Sequence, residues 1–234
     1  GCVRKQNQDA FHIEKLDRHS LLAVVCDGMG GAKSGNVASS LAVDVFVQEV
    51  TRNWTSQTDW DKCDMILRSA VKLANFTVYD QACQFEEFSG MGTTLVAAVI
   101  RKNQASIINV GDSRCYAITN GSIRQVTKDH SVVQMMVDRG DLTPETAKTF
   151  PGKNLITRAV GTEPTILSDI YRQDLEKGSF LFLCSDGLSN MLDDQEILFE
   201  VVHGVKKQNC CKRLLNIAKM RGSPDNVTSI LVSV

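Results

Sequence analysis

Apolar and polar positions along this chain follow two periods. Ser20-Leu-Leu-Ala-Val-Val-Cys26, Thr93 to Ile100, Ala105-Ser-Ile-Ile-Asn-Val110, Cys115 to Ile118, Phe180-Leu-Phe-Leu-Cys184 and Val227 to Val234 are short runs rich in β-branched and aromatic residues, bounded by turn residues. Such runs predict buried strands, and Asn120-Gly121 predicts a hairpin turn. Elsewhere the spacing is helical. Val37, Ala38, Leu41, Ala42, Val45 and Phe46 mark one helix, with Ser34 or Asn36 as its cap, and Ile66, Ala70, Leu73, Ala74 and Val78 mark a second. Two late helices are predicted, from Gln195 to Val205 behind an Asp193 cap with Glu196 three residues on, and from Gln208 to Met220 with Cys211, Leu214, Leu215 and Ala218 inward. Successive antiparallel strands broken by paired helices predict an α+β fold with helices outside sheets, not a βαβ parallel sheet. Between Asp138 and Pro164, Gly140, Thr143-Pro144-Glu145, Pro151-Gly152 and Gly161 are too many breakers for one regular element. Thr143 can cap a short helix with Pro144 at its first position, and the rest reads equally as a mobile surface segment of the kind that flanks active sites or as an ordinary surface excursion.

At 234 residues and 43% hydrophobic content the chain can build one sizeable core, and residues 1–234 read as a single domain. A net charge of −1 disfavours nucleic acid or an anionic membrane as a partner. No apolar stretch approaches the roughly 20 residues that span a bilayer, and no signal-peptide pattern opens the sequence. Several of the eight cysteines lie inside strand runs (Cys26, Cys184) or helix-like segments (Cys63, Cys83), as small hydrophobes do, which predicts reduced thiols and a cytoplasmic location. There is no C-x-x-C pair, and His12, His19, His130 and His203 have no ligand spacing, so a zinc site is not expected and each histidine reads as a surface or packing residue.

The candidate chemistry lies in acids. Asp27-Gly-Met-Gly-Gly31 follows the first strand run, Gly111-Asp112-Ser-Arg114 the third, Ser185-Asp186-Gly187 the fifth, and Asp225-Asn226 opens the last. If those strand ends converge, the carboxylates converge, and buried carboxylates tolerate one another by sharing cations or protons. Hard oxygen ligands without histidine or thiolate companions favour Mg²⁺ or Mn²⁺, and the glycines allow the Gly28 carbonyl to face an ion. Arg4 offers a planar fork suited to phosphate, with Asp9 nearby as another acid.

Other phosphate chemistries fit less well. Gly28-Met-Gly-Gly-Ala-Lys-Ser-Gly35 lacks the Gly-Lys-Ser/Thr ending of a P-loop, and no cysteine has an arginine six positions later. Asp59-Trp60-Asp61 has no apolar strand before it, and Gly31-Ala-Lys-Ser-Gly35 misses nucleophile-elbow spacing by one residue.

Arg4-to-Asp9, Asp27-to-Gly31 with Gly35-Asn-Val-Ala-Ser39, Gly92-Thr-Thr94, Gly111-to-Arg114, Thr127-Lys-Asp-His130, Cys184-to-Gly187 and Pro224-Asp-Asn226 stand in an order that resembles the metal-dependent serine/threonine protein phosphatases of the 2C type, in their compact bacterial form. The resemblance implies a central antiparallel β-sandwich flanked on both sides by helix pairs, with metals at one end. It implies hydrolysis of phosphoserine and phosphothreonine in proteins by a metal-activated water, without a covalent phosphoenzyme. By analogy Asp27 bridges two Mn²⁺ or Mg²⁺ ions, Gly28 helps one through its carbonyl, Asp186 and Asp225 hold the other, and Asp9 acts through water. Asp112, with Asp186, matches the pair that holds a weaker third ion. Arg4 aligns with the phosphate-binding arginine and residues 138–164 with the variable flap. The implied partners are phosphorylated proteins, substrates of a bacterial serine/threonine kinase, and the chain is read as a monomer.

Three departures stand out. Met29 and Ala32 occupy positions where relatives carry histidine, so no general acid is identified. Ser223 replaces the frequent glycine before Pro-Asp-Asn. Family members also carry a strand before the arginine motif, so the resemblance implies trimming at the N-terminus or a missing edge strand. The rival readings are a binding module of the same fold that recognises phosphoproteins without hydrolysing them, and a small-molecule phosphatase or phosphodiesterase.

Overall fold

In a computed structural model the described residues are 2–4, 6–30, 34–119, 121–204 and 206–234. The predicted roles of Gly31 and Ala32, the first residue of the Asn120-Gly121 turn and the helix end at Val205 lie outside them. Ten strands and seven helices are present among the described residues. One antiparallel sheet has the order β1 (Asp9–Lys15), β2 (Ser20–Met29), β4 (Leu95–Arg101), β5 (Gln104–Val110), β8 (Asp169–Asp174), with β3 (Gly92–Thr93) paired to the end of β2. The other has the order β10 (Ser229–Ser233), β9 (Phe180–Cys184), β6 (Arg114–Thr119), β7 (Ser122–Gln125).

The apolar runs are continuous because both faces of the central strands are covered. On β2, Leu22, Val24 and Cys26 point to α1 (Gly35–Asn53) and α2 (Trp60–Gln84), while Ala23 and Val25 point between the sheets. On β9, Leu181 and Leu183 fill the inter-sheet core, and Phe180, Phe182 and Cys184 face α6 (Asp194–His203) and α7 (Cys210–Met220). Three cores between four layers result, helices, sheet, sheet, helices, as predicted. Asp59 caps α2 by accepting the Lys62 N–H at 2.8 Å, which accounts for that acid without chemistry. Asp193 and Glu196 form the capping box expected at α6.

Differences from expectation are local. The β2 strand runs through Asp27 to Met29, so Asp27 is embedded in a ladder and does not stand at a turn: Asp9 opposes it on one side, and Gly28 and Met29 pair with Thr93 and Gly92 on the other. The segment 138–164 is only partly an excursion. It contains the end of α3 (Val132–Arg139) and the Thr143-capped α4 (Pro144–Ala147), and then returns to the core, where Val160 exchanges two backbone hydrogen bonds with Thr93 and is fully buried. On β1, Phe11 and Ile13 oppose Val25 and Ala23, and so face the inter-sheet side, yet remain 61% and 50% exposed.

Candidate metal centre

Strand register gathers the acids at one end of the sandwich. Asp9 begins β1 directly opposite Asp27 near the end of β2. Leu95 opposes Val110, so the Gly111-Asp112 turn leaves β5 beside the same end, and Thr94 Oγ1 ties the two motifs by accepting the Asp27 N–H at 2.9 Å while lying 2.7 Å from Ser113 Oγ. In the second sheet, Cys184 opposes both Arg114 and Ser229, which brings Asp186 to the same end as the Asp112 turn and the Asp225 segment. Asp186 opens the short helix α5 (Asp186–Ser189), where a carboxylate suits the free N–H groups. The sheets are joined across the site by Ser185 Oγ–H, which donates to Asp9 Oδ2 at 2.9 Å.

Burial and mutual repulsion perturb these groups in one direction. Burial raises Asp27 well above the ordinary carboxyl range, and Asp9, Asp186 and Asp112 add to the shift. Burial raises Asp9 and Asp186 as well, and together with Asp186 and Asp129 it pushes Asp112 up to about 7. Asp9 Oδ1 is buried with no hydrogen-bond partner. Such an oxygen, in an oxygen-only set of four acids that repel one another, fits a hard divalent cation.

Asp225 stands differently. Arg4 donates to both its oxygens, Nε to Oδ1 and Nη2 to Oδ2, each at 3.0 Å, and the pair raises Arg4 above its ordinary value. The fork expected to face phosphate is therefore engaged by an acid expected to face metal. Among the described residues no three acidic, histidine or cysteine side chains close on one point. Asp9 and Asp186 both lie within hydrogen-bonding reach of Asp27, whereas Asp225 pairs with Arg4. Gly28 sits where β2 meets the start of α1, its N–H bonded to Gln8 C=O at 3.0 Å.

Two residues at the centre escaped sequence reasoning. Arg114, close to Asp112, is half-buried and clamps Asp129 through Nε and Nη2, with Nη1 3.1 Å from the Tyr116 hydroxyl. His130, read as a packing residue, accepts the Gly111 N–H on Nδ1 at 3.1 Å, its own N–H bonds Gly111 C=O, and its C=O accepts from Thr157. It thus fixes the turn that carries Asp112 to the base of the 138–164 segment. An arginine one turn past a candidate acid was a readable signal; the histidine's partners, distant in sequence, were not. A cavity of about 820 Å³ opens beside Asp112 and Asp186, with α4, Lys148 and Lys153 along one wall and Asp193 and Asp194 along the other.

A sandwich with acids at the ends of facing sheets, an arginine at the rim and a cleft alongside defines a phosphoester hydrolase of the metal-dependent kind. Comparison agrees. Residues 3–216 match the family model described as Protein phosphatase 2C. The chain is 34% identical to the serine/threonine phosphatase stp of Listeria welshimeri, over 99% of this chain and 92% of the relative. The crystal structure of the serine/threonine phosphatase Stp1 from Staphylococcus aureus superimposes with a TM-score of 0.91 at 36% identity, covering 100% of this chain and 91% of that one. The catalytic domain of the serine/threonine protein phosphatase PstP, solved with two manganese ions, superimposes with a TM-score of 0.84 at 31% identity over 99% of this chain and 93% of that one. The chain belongs to the protein phosphatase 2C family.

The raised acids make a pH-dependent prediction. Unfolded aspartates titrate near 3.8, whereas folded Asp112 titrates near 7. Between those values the unfolded chain releases protons that the folded metal-free protein retains, so the penalty is absent below about pH 4, grows as pH rises and is complete above about pH 7. Metal binding requires the ionised acids and removes that penalty. The rise in unfolding temperature produced by excess Mn²⁺ is therefore expected to grow between pH 5 and pH 7.5. Thermal scans at paired pH values check it, and a Mn²⁺ effect that shrinks with pH would contradict it. His130, which burial lowers from 6.5, contributes to both forms and cancels in the difference.

Proposed function

We propose that the chain is a metal-dependent protein phosphatase that removes phosphate from serine and threonine side chains, with Asp27 and Asp186 at the centre of the metal set, Asp225 and Asp9 completing it, the Gly28 carbonyl assisting and Arg4 binding phosphate. The observation that carries this reading is the gathering of four half-buried acids at one end of the sandwich beside an exposed arginine. Divalent ions held there supply a water that ionises near neutral pH and neutralise charge on the phosphoryl oxygens. The rest is the chain's own work. Arg4, 54% exposed at its side chain, can turn its two parallel N–H groups from Asp225 to two phosphoryl oxygens and fix the phosphate in line for attack. That turn frees Asp225 for a cation. The two partners thus exchange one ion pair for two, which keeps the arginine from competing once metal and substrate are present.

Asp112 and Asp186 are suited to a third, weaker site at the cleft, and Mn²⁺ or Mg²⁺ serves equally well on donor chemistry. The cleft under residues 138–164 receives the polypeptide around the phosphoresidue, and its substrates are the products of a serine/threonine kinase in the same cell. All eight cysteines are free, which supports a reducing, cytoplasmic setting. No helix among the described residues is long and apolar enough to cross a membrane. The test is phosphate release from a phosphothreonine peptide with Mn²⁺ and after chelation: release is expected to fall by on the order of 10²-fold or more, and equal rates would defeat the reading.

A further inference from the structure

Two side chains that the chemistry above does not use stand next to Asp225 and Asp186, and both reach back to one segment. Asn226, beside Asp225 and 6% exposed, accepts the Gln8 N–H on Oδ1 at 2.9 Å and donates from Nδ2 to Gln6 C=O at 3.1 Å. One amide therefore satisfies a donor and an acceptor on alternate residues, as a neighbouring strand would. Ser185, beside Asp186 and fully buried, donates to Asp9 Oδ2 at 2.9 Å and accepts the Thr228 N–H at 3.0 Å, so its hydroxyl cannot turn away without losing both bonds. The opposite side of the segment is gripped at Gln8 C=O, by Ser39 Oγ–H at 2.6 Å and by the Gly28 N–H at 3.0 Å.

Residues 6–8 belong to no strand, for β1 begins at Asp9. Their place is set by these bonds, and the place of Arg4, two residues further out and half exposed, follows from theirs. A slip of one residue would turn Asp9 away from Asp27 and carry Arg4 past Asp225.

We infer that Asn226 and Ser185 are positioning residues that lock the arm from Arg4 to Asp9 in register against Asp225 and Asp186, so that the phosphate fork and the metal set are assembled as one unit. The structural part of this stands alone. Its kinetic part rests on the proposed phosphatase reading.

The test has two arms. In metal-free protein, amide hydrogen exchange is followed at Gln8 and Asp9, with the β4 and β9 amides as internal controls. Asn226→Ala is expected to speed exchange at Gln8 at least about tenfold while the controls hold, a local opening and not a global one. Ser185→Ala is expected to do the same at Asp9. In the second arm, Mn²⁺-loaded protein acts on a phosphothreonine peptide. Asn226→Ala is expected to raise KM about tenfold with a smaller fall in kcat, but to add less than about twofold when Arg4 is already alanine, because the interaction it positions is gone. Unchanged exchange at both amides, or full additivity with Arg4→Ala, overturns the inference. Should Asn226→Ala fail to fold, Asn226→Asp keeps the acceptor for Gln8 and sets an oxygen against Gln6 C=O. It should show the same coupling in weaker form, and none would overturn the inference. Absence of turnover in the parent protein would instead sink the phosphatase reading and leave the exchange result to decide the rest.

Discussion

Asp27→Asn is expected to abolish turnover and at the same time to raise the unfolding temperature of the metal-free protein. The two effects share one cause. The Asp27 carboxyl is raised well above its ordinary range, because burial is compounded by Asp9, Asp186 and Asp112 around it. Above the ordinary carboxyl range the metal-free fold carries that shift as a cost that grows with pH. An amide of the same shape carries no charge and can donate to a neighbouring carboxylate, so removing the charge relieves the cost. For a protein of this size each kcal/mol relieved appears as about 2–4 °C. In the proposed metal set Asp27 would be one of the residues that hold the ions. Its amide should therefore weaken Mn²⁺ binding and lower kcat by on the order of 10³-fold or more, the scale seen when a group acting in the transition state is lost. Excess Mn²⁺ should stabilise the parent through linkage and leave the variant nearly unmoved. Calorimetric scans with and without Mn²⁺, beside peptide turnover, check all three. A variant that unfolds at a lower temperature than the parent in metal-free buffer, or that keeps near-parent kcat, would remove Asp27 from the centre.

How much of this was legible depended on where each element lies. Phe180–Cys184 was read to the residue because its side chains are buried on both faces, and the run of apolar residues ends where burial ends. The β1 and β8 strands were missed. Asp9-Ala-Phe-His-Ile-Glu-Lys15 and Asp169-Ile-Tyr-Arg-Gln-Asp174 are edge strands with one covered neighbour each, and their polar residues mask the alternation. The β2 strand was cut short at Cys26 because Asp27-Gly28 has the composition of a turn. Its pairing with Thr93 and Gly92, some 65 residues on, and with Asp9 and Gln8 on the other side keeps it extended. Likewise the return of Val160 to the core could not be read from a stretch punctuated by glycine and proline. Asp27, Asp112 and Asp186 were identifiable because each stands just past an apolar run, and Asp225 because it stands just before one. The pairing of Arg4 with Asp225 was not, since the two lie 221 positions apart and each was suited to a different partner.

Gly28→Ala is expected to damage both the fold and the acid set. Gly28 lies where the end of β2, the start of α1 and the N-terminal arm cross. A β-carbon built there would stand 2.0 Å from the Gly35 carbonyl oxygen and 2.6 Å from that of Gln8. Both obstacles are backbone, so no rotamer change relieves them. Either α1 lifts from the sheet, which uncovers the fully buried Ala38 and Ala42, or the arm retreats and breaks the Gly28 N–H bond to Gln8 that helps seat Asp9 opposite Asp27. Overpacking a rigid site costs typically about 1–3 kcal/mol, and with two carbonyls in the way the upper end or beyond is expected here. The loss in function should exceed the loss in stability, because a displacement of about 1 Å at the acid set is enough to spoil alignment. A matched measurement separates the two. The urea midpoint should fall by the folding cost, while Mn²⁺ affinity and peptide turnover, measured well below that midpoint where the variant is still folded, should fall much further. Parent-like Mn²⁺ affinity in folded Gly28→Ala would mean that the crossing of β2, α1 and the arm yields without disturbing the acids, and that the metal set does not depend on the close approach at residue 28.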